Sequence, residues 1–390
     1  MKKFLILIVI AACCVCLWMP GCGTGSNSVS GFTLSGTGGT GGTGGVGGGV
    51  SSPPTTVALA YVAGSANNFF GVKVDSSSTA SPTAGSPYSF NAPVNSLAVR
   101  NNLLFISANS IAGSPSSING YKADAFGALT QLSLTPINGA PMLAYERTGN
   151  FLYAGSNSVP LLGRNATAPG VYGYSVNQSD GVLTPLPGSP WILAEGVTES
   201  GLVVSPNGAL ICFSVGLANG TGNVDCYPRN PDGTINASSF FTPIRGETVN
   251  RLDISFDNFW IFAAGGANNF VFYGSLANNG SSQQLRITSI GTIPVEVSAN
   301  PTASWLAVAE SGTNDVGIYS IGGDGAPTAG KLTITQGKPI SVTFSQNGAF
   351  LFVSTDIGTS VYSFNISDGA LTLTQGSPVL SANVGTIAVQ

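Results

Sequence analysis

Residues 205–213 read Ser-Pro-Asn-Gly-Ala-Leu-Ile-Cys-Phe, and this pattern returns about every 45 to 50 residues. It recurs closely as Ser-Phe-Asp-Asn-Phe-Trp-Ile-Phe-Ala at 255–263 and as Ser-Gln-Asn-Gly-Ala-Phe-Leu-Phe-Val at 345–353, and more loosely at 146–154 and 302–308. A polar Asn/Gly turn followed by aromatic and β-branched residues predicts a tight hairpin that enters a buried strand. Repetition at this period predicts a β-propeller in which each copy belongs to one blade.

The recurring strand can be counted seven times. Its third position is occupied in turn by Tyr61, Phe105, Tyr153, Cys212, Phe262, Ala307 and Phe352. A second strand with alternating side chains follows each copy, as at 171–176, and turns such as Asp180-Gly181 then lead to a short outer strand. A short apolar strand precedes each copy, as at 202–204 and 252–254, and is expected to line a central channel.

The two ends of the repeat array complement one another. The array begins at Val57 without an inner strand before it, and it stops at 386–389 without a strand after it. We therefore expect the last strand to pair with the first and to complete blade one. Such closure removes the open sheet edges that would otherwise aggregate. The sequence thus predicts an all-β, seven-bladed β-propeller over residues 57–390.

The composition limits the classes of partner. Charged residues make up 8% of the chain and the net charge is −4, whereas roughly 25% of residues are charged in ordinary soluble proteins. The folded part contains no basic cluster, so the electrostatic footprint required for nucleic acid is missing. We expect a monomer with a polar, mostly uncharged surface and without a cofactor.

The N-terminus has the pattern of an export signal. Lys2 and Lys3 precede an apolar run at 4–18, which is too short for a comfortable membrane span. The run ends in Gly21-Cys22, after which the sequence becomes polar. This arrangement resembles a bacterial lipoprotein signal, which implies a signal peptide over 1–21 and a lipid on Cys22.

Two alternatives to Cys22 remain open at the sequence level. Residues 10–13, Ile-Ala-Ala-Cys, match the lipoprotein pattern better locally, but lipidation there would leave an apolar stub at 14–18. A plain secretory signal or an uncleaved anchor is the other possibility. Residues 22–56 are predicted to form a flexible tether, because their Gly/Thr repeats cannot bury a core, with a reach on the order of 30 Å. The expected location is the bacterial cell envelope, in the periplasm or at the cell surface, with a lipid in the membrane.

The outer turns carry a resemblance to a known family. Residues 180–191 read Asp-Gly-Val-Leu-Thr-Pro-Leu-Pro-Gly-Ser-Pro-Trp, and 369–372 and 376–378 repeat parts of this segment. Over residues 57–390 the chain resembles the bacterial seven-bladed propeller lactonases, which include 6-phosphogluconolactonase-like proteins, and more broadly the propellers with Tyr-Val-Thr-Asn repeats. The resemblance implies the fold, but propeller repeats are shared by enzymes and binding proteins.

The residues expected of a lactonase are not retained. The family pattern places Pro-Arg-His at the start of the inner strand, at the mouth of the channel, and this chain has no His. Pro93, Pro294 and Pro339 keep the family Pro, but no copy keeps both Arg and His. Alignment on the repeat predicts a mouth ring at the His position that consists of Asn95, Met142, Gly201, Arg251, Glu296, Ser341 and Gly385.

Two charged members of this mouth ring are the candidate catalytic residues. Glu296 could act as a general base and Arg251 could stabilise an oxyanion during lactone opening. The ligand-binding candidates are Asn95, Glu199, Arg245, Glu247, Arg251, Glu296 and Ser341, and the ligand would be a sugar acid, a lactone or a peptide carboxylate. The alternative is that Arg251 and Glu296 form an inter-blade ion pair in a wet channel.

Three further groups of residues are of types that can carry chemistry. Ser114 and Ser189 stand in Gly-Ser-Pro segments, which are typical of turns and lack the Gly-x-Ser-x-Gly elbow of nucleophilic serines. Glu310, Asp315 and Asp356 lack the repeated Asp-x-Asp spacing of a calcium loop and are expected to be solvated, so no metal site is predicted. Cys212 and Cys226 lie on adjacent predicted strands and form either a disulfide or two buried thiols.

Two functions follow from these observations. The first is a lipid-anchored binding or scaffold module at the cell envelope, whose ligand is a glycan or a protein. The alternative is an extracytoplasmic lactonase-like hydrolase that opens a sugar lactone. The lack of His and the small number of channel charges favour the binding module.

Overall fold

The computed structural model describes residues 54–65, 67–90, 92–109, 116–139, 141–160, 167–193, 196–216, 221–247, 249–265, 268–277, 285–288, 291–380 and 384–390. The predicted signal peptide (1–21), Cys22 and almost all of the predicted tether (22–56) lie outside these residues. The described residues form strands and turns and contain no α-helix. None of them belongs to a helix that is long and apolar enough to cross a bilayer.

The strands of the first half follow one another in this order: β1 (Thr56–Gly64), β2 (Asn68–Asp75), β3 (Ala80–Pro82), β4 (Tyr88–Ser89), β5 (Val94–Arg100), β6 (Leu103–Ala108), β7 (Ser117–Ala123), β8 (Leu129–Pro136), β9 (Met142–Tyr145), β10 (Phe151–Pro160), β11 (Thr167–Val176), β12 (Leu183–Pro185), β13 (Trp191–Ile192), β14 (Gly196–Val204) and β15 (Leu210–Gly216). Those of the second half are β16 (Gly222–Pro228), β17 (Phe241–Arg245), β18 (Leu252–Ile254), β19 (Trp260–Ala264), β20 (Phe270–Ser275), β21 (Leu285–Thr288), β22 (Pro294–Ala299), β23 (Trp305–Glu310), β24 (Asp315–Ile321), β25 (Pro327–Ile334), β26 (Pro339–Phe344), β27 (Phe350–Thr355), β28 (Gly358–Asn365), β29 (Ala370–Leu373) and β30 (Val384–Val389).

These strands form seven antiparallel sheets, which are the blades of a propeller. A typical blade contains an inner strand, two central strands and an outer strand in chain order, as in β22-β23-β24-β25. The seven residues predicted at the third position of the recurring strand all lie in the second strand of a blade and are completely buried. The all-β, seven-bladed prediction is therefore confirmed.

The ring closes through the two ends of the array. β30 pairs antiparallel with β1, with Tyr61 opposite Ala388 and Val62 opposite Ile387, so that the sheet of blade one reads β3-β2-β1-β30. The predicted pairing of the last strand with the first is thus confirmed. Closure leaves no blade without its inner strand.

The hydrophobic core lies between the blades. Each of the seven apolar clusters among the described residues combines side chains of two neighbouring blades. Tyrosines reinforce this packing: the hydroxyl of Tyr61 donates to the carbonyl of Gly127 in blade two, and that of Tyr153 donates to Gly233 in blade four. Gly127 and Gly233 have φ angles of 82° and 87°, which a side chain rarely allows. The turns between strands therefore also serve as contacts between blades.

A disulfide joins the two cysteines of blade four. Cys212 and Cys226 are directly opposite one another on β15 and β16, with their Cα atoms 4.1 Å apart. Both residues are completely buried. Of the two alternatives that the sequence left open, the structure therefore has the disulfide.

The three carboxylates that were expected to be solvated differ in their exposure to solvent. Asp356 is exposed as predicted, but the prediction is wrong for Glu310 and Asp315, which are 0% and 5% exposed. The tip of the hairpin at 312–314 is exposed. Its base is held against the segment 292–293 that precedes β22, because Ser311 N and Gly312 N donate main-chain hydrogen bonds to that segment. The two acids at the base of this polar hairpin are thus packed into the blade.

Candidate functional site

The inner strands place one residue each around the middle of the central channel. These residues stand directly opposite the seven buried positions of the recurring strand and form a cavity ring that consists of Ala98, Ala144, Val203, Asp253, Ser298, Thr343 and Ala388. All seven line a cavity of about 320 Å³. Because every blade contributes to its wall, the cavity lies on the axis of the propeller.

Asp253 is the one charged member of the cavity ring. Its Oδ1 accepts a hydrogen bond from its neighbour Ile254 N, and its Oδ2 accepts one from Ala299 N of the next blade, each at 2.8 Å. Burial raises the pKa of Asp253 from 3.8 to about 6, although the two N–H groups and the charge of Arg147 act in the opposite direction. A carboxylate with this pKa is largely ionised at neutral pH and can still take up a proton readily.

Two arginines line the same cavity as Asp253. Arg100 ends the inner strand β5, and Arg147 lies in the turn after β9. Burial lowers the pKa of Arg100, and the nearby positive charge of Arg147 lowers it further. The cavity therefore combines one carboxylate with two guanidinium groups, which favours an anionic or carbonyl-bearing ligand.

Side chains of four inner strands, β5, β18, β22 and β26, also bind the main chain of the inner strand in the next blade. The inner strand is the edge of its blade, so its N–H groups on the channel side need acceptors from outside the sheet. The acceptors are side-chain oxygens of the preceding blade. The pairs are Ser96 with Leu143 N, Asp253 with Ala299 N, Glu296 with Val342 N, Ser298 with Phe344 N and Ser341 with Ile387 N.

Comparison of neighbouring blades shows that the charge of Asp253 exceeds this structural need. Ser298 occupies the same position in blade six as Asp253 does in blade five, and its hydroxyl accepts the equivalent bond from Phe344 N at 3.2 Å. A neutral hydroxyl therefore suffices to connect two inner strands. The carboxylate of Asp253, which costs free energy to bury, is explained better by a ligand in the cavity.

In the predicted mouth ring, Arg251 and Glu296 are together, as the sequence suggested. Arg251 Nε lies 3.8 Å from Glu296 Oε1, and Glu296 Oε2 accepts a hydrogen bond from Val342 N at 3.0 Å. Burial raises the pKa of Glu296, while Arg251, Ser341 and the Val342 N–H oppose the rise. Both oxygens of Glu296 are thus engaged by the protein, and neither Glu296 nor Arg251 lines the cavity.

The other predicted ligand-binding residues are distributed more widely. Asn95 donates to the carbonyl of Pro141 at 3.2 Å, and Ser341 is completely buried. Glu247 forms an ion pair with Arg286, 3.7 Å away, and Arg245 ends the outer strand β17, where its Nε donates to Thr242 O. Glu199 belongs to β14, but its side chain lies outside the part of the chain that the structure describes.

Of the two serines in Gly-Ser-Pro segments, Ser114 also lies outside the described residues. Ser189 Oγ accepts a hydrogen bond from Gly173 N, consistent with a turn residue.

We expect Arg251→Ala to reduce the free energy of unfolding by about 1–2 kcal/mol, a value between those of exposed and buried ion pairs. The Arg251 and Glu296 side chains are 27% and 12% exposed, so loss of the cation leaves a partly buried carboxylate without its counter-charge. Denaturant unfolding measures the change. The double variant Arg251→Ala/Glu296→Gln should recover part of the loss, and an unchanged midpoint in the single variant would show that the pair contributes nothing.

The residues that line the cavity were not identified from the sequence. The family His position is at the start of the inner strand, whereas Asp253 lies two residues further along, in the segment Leu252-Asp253-Ile254. Two signals were available: a carboxylate inside a short apolar strand, and Arg147 in a turn position that other blades fill with Pro206 or Pro301.

Comparison with known proteins supports the architecture alone. No family model and no curated protein matches this sequence. Among solved structures, a protein from Lactobacillus plantarum superimposes with a TM-score of 0.68 at 15% identity, covering 86% of this chain and 99% of the other. A Bacteroides uniformis protein provisionally named a 6-phosphogluconolactonase gives 0.67 at 15%, with 86% and 100% covered. A periplasmic gluconolactonase from Pseudomonas aeruginosa gives 0.63 at 16%, with 85% and 99% covered. At such low identity these similarities establish a shared fold and nothing further.

Proposed function

We propose that this protein is a lactone hydrolase whose active site is the channel cavity, with Asp253 as the general base. The observation that carries the proposal is a single carboxylate with a raised pKa in a cavity that also holds two arginines. Two of the structures with the same fold are named as lactonases, which supports a sugar lactone as the substrate class. Asp253 and Arg147 thereby replace Glu296 and Arg251 as the proposed catalytic pair.

The proposed reaction uses groups that line the cavity. The carboxylate of Asp253 takes a proton from a water molecule, and the water oxygen forms a bond to the lactone carbonyl carbon. The guanidinium of Arg147 stabilises the resulting oxyanion. The bond to the ring oxygen then breaks, and this oxygen receives the proton from Asp253, which yields the open hydroxy acid and restores the carboxylate.

A second candidate function is binding of the same class of ligand without turnover. The observation that favours it is that both oxygens of Asp253 already accept main-chain hydrogen bonds. In this case the cavity would hold a sugar acid or the end of a glycan.

For either function we propose that a lipid on Cys22 attaches the propeller to the cell envelope. Labelling of cells with a radioactive fatty acid tests this anchor: the wild type should be labelled, and Cys22→Ser should not.

The test is an assay of the purified protein against a panel of sugar lactones, combined with calorimetric titration of the matching sugar acids. We expect catalysed opening of at least one lactone. Because Asp253 must be ionised to accept a proton and its pKa is about 6, log(kcat/KM) should rise by about one per pH unit below pH 6 and level off above it. The uncatalysed rate is subtracted at each pH. Binding of the acid without catalysis would support the second function, and neither binding nor catalysis would refute both.

A further inference from the structure

Blade six contains two buried carboxylates that the proposed reaction does not use. Glu310 ends β23 and Asp315 begins β24, and the two are directly opposite one another across the hairpin. They are 0% and 5% exposed. Like charges placed opposite one another in a β-ladder destabilise it, and burial increases the cost. A compensating interaction is therefore required at this position.

The two carboxylates differ in the compensation that the protein supplies. Glu310 Oε1 accepts a hydrogen bond from the buried hydroxyl of Tyr319 at 2.9 Å. Asp315 takes part in none of the ion pairs among the described residues, and its Oδ1 is buried without a hydrogen-bond partner. One buried carboxylate oxygen therefore has neither a hydrogen-bond partner nor a counter-charge among the residues that the structure describes.

The oxygens of this hairpin converge on a small space beside Gly291. A Cβ on Gly291 would collide with Glu310 Oε2 and Thr313 Oγ1 and would lie 2.7 Å from Asp315 Oδ1. Thr313 Oγ1 accepts one hydrogen bond, from Thr292 N, and keeps a second lone pair. Three oxygens of different side chains thus face a single point, which is the arrangement of a cation site.

The propeller fold does not require acids at these positions. The equivalent pairs in other blades are neutral: Ala108 with Ser117, Ser156 with Gly170, Val215 with Asn223 and Thr355 with Gly358. The two carboxylates are therefore a property of blade six and not of the repeat. Glu310 is also opposite Pro294, at the start of the inner strand β22, whereas Ser298 and Ala299, which line the channel cavity, are further along this strand. The two carboxylates are therefore separate from the cavity.

We propose that Glu310 Oε2, Asp315 Oδ1 and Thr313 Oγ1 bind a calcium ion. All three donors are oxygens, which hard divalent cations prefer, and the site offers neither the imidazole nor the thiolate that transition metals favour, since the chain has no His and Cys212 and Cys226 are joined in a disulfide. Calcium accepts irregular coordination completed by main-chain carbonyls and water, whereas magnesium demands an octahedron of short bonds. With two carboxylates, the dissociation constant should be on the order of 0.1–1 mM.

Thermal unfolding of the full chain with CaCl₂ or EDTA tests this site. Calcium at about 10 mM should raise the Tm of the wild type by about 2–5 °C, and Asp315→Asn should abolish the rise. Asp356→Asn, which changes an exposed carboxylate of the next blade, should leave it intact. In EDTA, Asp315→Asn should melt above the wild type because the like-charge repulsion is gone. A merely structural Asp315 would instead make this variant less stable in both buffers.

Calorimetric titration with CaCl₂ provides a second measurement. Thr313 is exposed, so Thr313→Ala should fold normally and weaken calcium binding several-fold. The proposal is overturned if the wild type shows neither heat nor a Tm response with calcium. It is also overturned if Asp315→Asn responds like the wild type, or if magnesium at the same concentration stabilises the wild type as much as calcium does.

Discussion

Deletion of Gly385–Gln390 is expected to prevent stable folding. These residues form most of β30, the inner strand of blade one, and their removal exposes the edge of β1 beside Tyr61. Ile387, Ala388 and Val389 are at most 9% exposed in the intact protein, so their burial is lost together with the hydrogen bonds to β1. We expect a loss of several kcal/mol, a large part of the 5–15 kcal/mol by which typical domains are stable, followed by aggregation through the free edge.

Calorimetry and size-exclusion chromatography measure this outcome. The matched control is deletion of residues 36–41, an equally long Gly/Thr segment of the predicted tether, which should leave the Tm unchanged. A shortened protein that remains monomeric and melts cooperatively at the wild-type temperature would show that β30 is dispensable. It would then be wrong to regard the pairing of the two ends as what holds the ring together.

Asp253→Asn should lower kcat/KM for lactone opening by about 10²–10⁴-fold, the usual contribution of a general base. The amide cannot accept the proton from water, but it keeps the size of the side chain and an oxygen for Ala299 N. The sugar acid that is the reaction product should bind to this variant within a few-fold of the wild type. Steady-state kinetics and calorimetric titration with the acid separate these two effects.

The control for this experiment is Glu296→Gln, in the mouth ring. Because Glu296 already binds Arg251 and Val342 N, we expect this variant to lose some stability and to retain most of its activity. The reverse result, an inactive Glu296→Gln and an active Asp253→Asn, would place the reaction at the mouth ring and remove the cavity from consideration. Equal retention of activity by both variants would contradict a carboxylate base altogether.

The repeat was sufficient to predict the fold because the residues that recur are those that are buried in every blade. A residue such as Phe352 or Tyr153 recurs at the third position since that position is completely buried in every blade. The absence of a strand before Val57 likewise predicted the partner of β30. Both features can be recognised from short stretches of sequence and from the number of copies of the repeat.

The cavity could not be derived in the same way. Whether Asp253 faces open space depends on the radius of the ring and on how far seven separate turns reach over the channel, and neither quantity is local in sequence. The same holds for Glu310 and Asp315, which stand in the polar segment Glu-Ser-Gly-Thr-Asn-Asp and are buried at the base of an exposed hairpin, beside the separate segment 291–293. The family His position corresponds to the mouth ring, whereas the cavity ring is further along the inner strands. Analogy with the family therefore predicted residues outside the cavity.

The pairing of β30 with β1 also affects when the protein can fold. It joins residues roughly 330 positions apart, and closing so long a loop costs roughly 5 kcal/mol of chain entropy. The other six blades can acquire all their strands as the chain emerges, but blade one lacks its inner strand until β30 has emerged as well. Until then the chain has an unpaired edge on blade one. A chain that stops before β30 would contain six complete blades and no closed ring.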